Sequence, residues 1–138
     1  MHRVRGLTLV ELMVVVAVMA IIAAVAYPLY TNQVQKSRRA DAKIALETIA
    51  MAQERFFTIN GSYTDNLATL QVSTAVQGGN SDKGYYTVAV VHPGGDAQQF
   101  QATASAAGAQ SGDSDCASFT INQLGVKTAT DLDGTNCW

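Results

Sequence analysis

From Leu12 to Gln35 the chain carries no charged residue, and most of that run is Val, Ile, Ala, Leu and Met. No other feature of the 138 residues restricts the possible folds as strongly. The apolar character begins at Leu7 and continues to Tyr30, broken only by Thr8, Glu11 and Pro28. It covers every side of a helix and leaves no polar face, so this is not a surface helix of a soluble domain. At ~1.5 Å per residue its length is about that needed to cross ~30 Å of hydrocarbon. Arg3 and Arg5 ahead of it favour a cytoplasmic amino-terminal side, whereas Lys36, Arg38 and Arg39 beyond it oppose that orientation.

A secretory signal peptide is the competing reading. Met1–Arg5 would be its basic region, Leu12–Ala23 its apolar core and Ala24-Val25-Ala26 its small-residue cleavage site. Glu11 argues against it. An ionised carboxylate in hydrocarbon costs about 2.5–3.5 kcal/mol near the bilayer centre and less toward its edge. A discarded signal has no use for that cost, so Glu11 reads as a functional group awaiting a cation.

The run Arg5-Gly6-Leu7-Thr8-Leu9-Val10-Glu11-Leu12-Met13 resembles the class III signal of type IV pilins. The resemblance implies cleavage between Gly6 and Leu7 by a dedicated membrane peptidase, which also N-methylates Leu7. It implies residues 1–6 as leader, 7–30 as a transmembrane and polymerisation helix, and 31–138 as a periplasmic, later filament-surface, head. Glu11 is then the assembly carboxylate, able to neutralise the new α-amino group of a neighbouring chain. Leu7 stands where the family usually has Phe, and Ala20 where many members have Gly. Ala17, Ala20 and Ala24 share one helical face, which suits either close helix packing or simple lipid exposure. Pro28 removes one helical hydrogen bond and predicts a kink near Ala24. The implied partners are other major and minor pilin subunits, the prepilin peptidase/methyltransferase, the inner membrane and its pilus-assembly machinery. The implied localisation is the inner membrane and then the extracellular pilus.

Thr31 to Phe57 reads as the same helix continuing into water, with Ala42, Ala45, Leu46, Ile49, Gln53 and Phe56 on one face. Arg38, Arg39, Lys43, Glu47 and Glu54 fall largely elsewhere, and Asn60-Gly61 is the stop signal. Asn66–Leu70 suggests a short helical turn. The period then changes from 3.6 to 2. Tyr86, Val88 and Val90 form one face of a strand, and Phe100, Ala102, Ala104 and Ala106 that of a second across His92-Pro93-Gly94-Gly95. Ala117, Phe119 and Ile121 mark a third strand and Val126–Ala129 a weaker fourth. The expected fold is therefore α+β. A long helix, half membrane-spanning and half amphipathic, packs on an antiparallel sheet of three to four strands.

Cys116 is in phase with Ser118 and Thr120, which places it on the face opposite Phe119. A returning tail could bring Cys137 to it, or both thiols could stay free. Family pilins carry a C-terminal disulfide-bounded segment, which favours the Cys116–Cys137 pair and an oxidising compartment. Catalysis has little to work with: there is no Gly-x-Ser-x-Gly elbow, phosphate loop or His/Cys metal spacing. No catalytic residue, cofactor or metal is assigned. Asp131-x-Asp133-Gly134-x-Asn136 matches part of a calcium loop but lacks its terminal Glu, and reads as an Asp-Gly turn. Beyond Phe56 there are only Lys83 and Lys127 against seven Asp, so no nucleic-acid partner is expected. The function read from the sequence is a structural type IV pilus subunit, more a minor than a major pilin. The alternatives are a type II secretion pseudopilin, a DNA-uptake pilin, or a secreted binding module cut after Ala26.

Overall fold

The long helix forms as expected. In the computed structural model, which describes residues 8–130 and 137–138, α1 runs Leu9–Asn60. It continues through Pro28, where the Thr31 hydroxyl donates to the proline carbonyl at 2.9 Å. Its end is set by Gly61, whose φ of +73° is a left-handed conformation that favours glycine. The chain falls into two compact units that divide between Val34 and Gln35.

In the first unit the helix has no buried residue at all. The second unit, the head, holds the core. Ala42, Ala45, Leu46 and Ile49 of α1 are fully or almost fully buried, as their spacing of three and four predicts. They belong to one core cluster with the inward residues of a four-stranded antiparallel sheet. Its strands are β1 (Tyr86–Val91), β2 (Gln101–Ala106), β3 (Ser118–Asn122) and β4 (Lys127–Thr130), in the order β1-β2-β3-β4. The register pairs Val88 with Ala104, Ala104 with Phe119, and Phe119 with Ala129, one inward row across the whole sheet. Ala102 and Ala104 occupy the inward positions of β2 without bulk, while Tyr86 and Phe119 meet edge to face at 5.8 Å. Each large apolar side chain so buried contributes about 1.5–3 kcal/mol.

Between helix and sheet the chain is irregular. The expected turn appears at Leu67–Thr69, capped by Asn66, whose side chain accepts from Ala68 N at 3.0 Å. A second short helix, α2 (Thr74–Gln77), was not expected; Ser73 caps it. Gln53 anchors the start of this stretch. Fully buried, it donates to Thr64 O at 2.5 Å and accepts from Thr64 N at 3.1 Å, so both amide atoms are satisfied.

Two expectations are corrected. Arg39, which the periodicity places away from the core face, is buried, because Asp113 reaches it from the loop between β2 and β3. Cys116 is also buried, not on the outer face: it lies ahead of β3, so strand alternation does not govern it.

Candidate functional site

Thr8 caps α1. Its hydroxyl accepts from Glu11 N at 3.2 Å, and its carbonyl accepts from Leu12 N at 3.2 Å. Thr-x-x-Glu is the spacing of a capping box, a signal present in the sequence that the reading of Glu11 as a charge in hydrocarbon passed over. Glu11 thus lies in the first helical turn, where the helix dipole favours a carboxylate. Its side chain nevertheless takes no hydrogen bond and no ion pair among the described residues.

Around that carboxylate the surface is apolar on all sides. Every large hydrophobic residue from Leu9 to Tyr30 is exposed, Val18 the least at 49% and Leu9 the most at 75%. Removing these side chains from water is worth tens of kcal/mol in sum, at about 1.5–3 kcal/mol each. Soluble monomers rarely leave apolar patches larger than a few hundred Å² uncovered. The segment is long and apolar enough, by length and composition, for a single membrane span.

The head is fastened by polar clamps that the sequence did not disclose. Arg39 meets Asp113 through two hydrogen bonds, Nε to Oδ2 and Nη2 to Oδ1, both 2.7 Å. Gln110 donates to Asp113 Oδ2 at 2.8 Å and to Gln35 O at 3.1 Å, while Cys116 N donates to Asp113 Oδ1 at 3.4 Å. The hydrogen bond from Arg39 to Asp113 pushes the guanidinium's pKa up despite its burial. Burial alone would raise Asp113, but the Arg39 hydrogen bond and charge outweigh it and hold the carboxyl below its ordinary range. Asp41 forms a second clamp, accepting from Lys83 N at 3.2 Å and Tyr85 N at 3.4 Å. Arg38 adds a third, donating to Ala109 O at 3.2 Å with its guanidinium 4.7 Å from the Tyr85 ring centre.

Cys116 and Cys137 are joined, with Cα atoms 5.7 Å apart. The bridge holds Trp138, whose ring meets Phe119 edge to face at 5.6 Å and whose indole N–H donates to Thr128 O at 2.7 Å. Glu11 and Pro28 both lie on α1. The expected cleavage pair Gly6 and Leu7 and the expected Asp-Gly turn at residues 131–136 lie outside the described residues. Among the described residues no three His, Cys, Asp or Glu side chains gather as a metal cluster would require.

A family model described as type IV minor pilin ComP, DNA uptake sequence receptor, matches residues 28–120. One described as the prokaryotic N-terminal methylation motif matches residues 1–27. The type IV major pilin protein PilA of Myxococcus xanthus is 41% identical over 61 residues, 44% of this chain and 28% of that protein. A fimbrial protein of Neisseria meningitidis serogroup B is 31% identical over 71 residues, 51% of this chain and 42% of that one. The chain thus spans less than half the length of these curated relatives. Among solved structures, a type IV pilin from Shewanella oneidensis aligns with a TM-score of 0.53 at 29% identity, covering 75% of this chain and 97% of that one. The non-core minor pilin PilV of Neisseria meningitidis aligns with a TM-score of 0.51 at 19% identity, over 75% and 91% of the two chains, a likeness of fold.

Proposed function

The chain belongs to the type IV minor pilin ComP family, and on that premise we propose that it is a minor subunit of a type IV pilus. Its work is self-association. The observation that carries this reading is the uncovered apolar helix with a carboxylate in its first turn that has no partner among the described residues. In the inner membrane, lipid covers Leu9–Tyr30; in the filament, the same surface packs on other pilin helices. Cleavage after Gly6 creates an α-amino group on Leu7, and the Glu11 carboxylate of one chain neutralises that amine on its neighbour. The oxidised Cys116–Cys137 pair supports a head on the outer side of the inner membrane. The prepilin peptidase/methyltransferase and the inner-membrane assembly machinery are the partners this route requires. Mass analysis of the protein recovered from sheared pili tests it. The expected mature chain begins at Leu7 and carries one added methyl; a chain beginning at Tyr27 would support the secreted module instead.

A second reading has one observation in its favour, the description of the matching family as a DNA uptake sequence receptor. Charge weighs against it in this chain. Of the two lysines beyond Phe56, Lys127 is engaged by Glu47 at 2.6 Å and lies 4.8 Å from the Trp138 ring centre. Phosphate neutralisation dominates non-specific DNA affinity, and the part of the head beyond Phe56 offers little cation for it. The expected result is duplex binding no better than that of a neutral control protein. A gel shift at micromolar protein and low salt, weakened by Lys83→Ala or Lys127→Ala, would reverse the order of the two readings.

A further inference from the structure

We propose that Lys36 and Lys43 form a phosphate site for an anionic phospholipid headgroup of the leaflet next to the head. The motive is a cation cluster on a side where membrane proteins do not favour one. Lys36, Arg38, Arg39 and Lys43 follow directly after the uncharged run that ends at Gln35. With the head on the outer side, these charges must be translocated, against the usual bias toward cytoplasmic Lys and Arg. Two of the four have structural work: Arg39 holds Asp113, and Arg38 holds Ala109 O and Tyr85. Lys36 and Lys43 have none, making no hydrogen bond and no ion pair among the described residues.

These two lysines share a place. With Arg39 and Cys137 they line an open cleft of about 390 Å³. Positions 36, 39 and 43 fall on one helical face at spacings of three and four, which places them along the same side of the cleft. Arg39 is neutralised by Asp113 within hydrogen-bond distance, with Asp115 at 3.9 Å. Among the described residues, Arg39, Lys36 and Lys43 stand against Asp113 and Asp115, which leaves one positive charge in excess. The two ammonium groups are the charges with no ion pair of their own, which suits an oxyanion as a diffuse, multiply hydrogen-bonded acceptor.

Chain connectivity selects the source of that oxyanion. Tyr27 and Tyr30 mark the end of the apolar run, the positions where aromatic residues anchor at a membrane interface. Lys36 follows Tyr30 by six residues. Long basic side chains next to a span reach headgroup phosphates, and each is worth about a fivefold gain in affinity near an anionic surface. Before assembly the site would hold the subunit's head at the leaflet surface. Departure into the filament would give up the lipid.

This proposal rests on the reading that Leu7–Tyr30 spans the membrane. The experiment uses the full chain in nanodiscs of equal phosphatidylcholine and phosphatidylglycerol, with retained lipids counted by native mass spectrometry. Wild type is expected to retain phosphatidylglycerol over phosphatidylcholine by about fivefold or more. Lys36→Gln with Lys43→Gln should abolish the preference, while the Arg pair at the same positions and the distant Lys127→Gln should keep it. Equal retention of the two lipids by wild type, or an unchanged preference in the double Gln variant, overturns the site. Displacement of the lipid by millimolar inorganic phosphate overturns the lipid assignment in favour of a free anion, and displacement by a short DNA duplex overturns it in favour of nucleic acid. A chain that fails to enter the discs overturns the spanning reading and the site with it. Entry without lipid preference overturns the site alone.

Discussion

Replacing Asp113 by Ala tests whether the buried ion pair organises the head. The change removes both 2.7 Å contacts to Arg39 and leaves a guanidinium that is only 9% exposed. Its one remaining anionic neighbour is Asp115, 3.9 Å away with a side chain 78% exposed, so water screens it. Gln110 keeps its bond to Gln35 O but loses its carboxylate, and Cys116 N loses its acceptor. Breaking one side of a buried pair costs about 3–5 kcal/mol, and the partial compensation by Asp115 places this case near 3 kcal/mol. For a head of about this size that corresponds to a fall in Tm of roughly 10–20 °C. Thermal unfolding of the detergent-solubilised chain, followed by near-UV circular dichroism of Trp138, reads the head without interference from the apolar helix. Replacing both partners with apolar residues, Arg39→Met with Asp113→Leu, should recover most of the loss, because no uncompensated charge remains buried. The pair also sets a pH dependence. The folded-state pKa of Asp113 lies below its unfolded value, so its contribution is complete above about pH 4 and is lost as pH falls through the folded pKa. A single-variant loss under ~1 kcal/mol, or a double variant as unstable as the sum of the singles, would refute the reasoning.

Glu11→Val removes the carboxylate from the apolar helix; insertion and head folding should be unchanged, while filament incorporation or N-methylation is lost, as measured by pilus shearing and mass analysis. Gly6→Trp should leave the unprocessed precursor in the membrane, visible as a chain heavier by the leader on mass analysis. Removing the bridge by Cys116→Ser with Cys137→Ser should cost about 3 kcal/mol by loop entropy at a separation of 21 residues, read as a lower denaturant midpoint. Lys127→Met should cost less than about 1 kcal/mol, since both it and Glu47 are well exposed, yet it should alter Trp138 fluorescence because the ammonium lies over that ring.

The strands were legible because half-buried strands alternate, and Tyr86, Val88, Val90, Phe119 and Ile121 all lie inward as the alternation requires. The helical face was legible for the same reason at a period of 3.6. Ala52 joins that face, while Phe56 at its end is only partly buried. α2 was missed because four residues are too few to show a period, and only the Ser73 cap could have disclosed it. The capping role of Thr8 was written in Thr-x-x-Glu but was hidden behind the stronger membrane signal.

The sequence by itself determined that this chain carries one apolar helix needing cover, a carboxylate at its head, and an α+β domain after it. Those follow from local patterns, in which each residue's neighbours along the chain settle its environment. Only the tertiary structure decided that Arg39 and Asp41 are interior residues, and that Cys116 is buried at the bridge. Arg39 and Asp113 are 74 residues apart, Asp41 and Lys83 42 apart. A charge becomes a core residue only when a partner arrives to replace its water, and no pattern along the chain records that arrival.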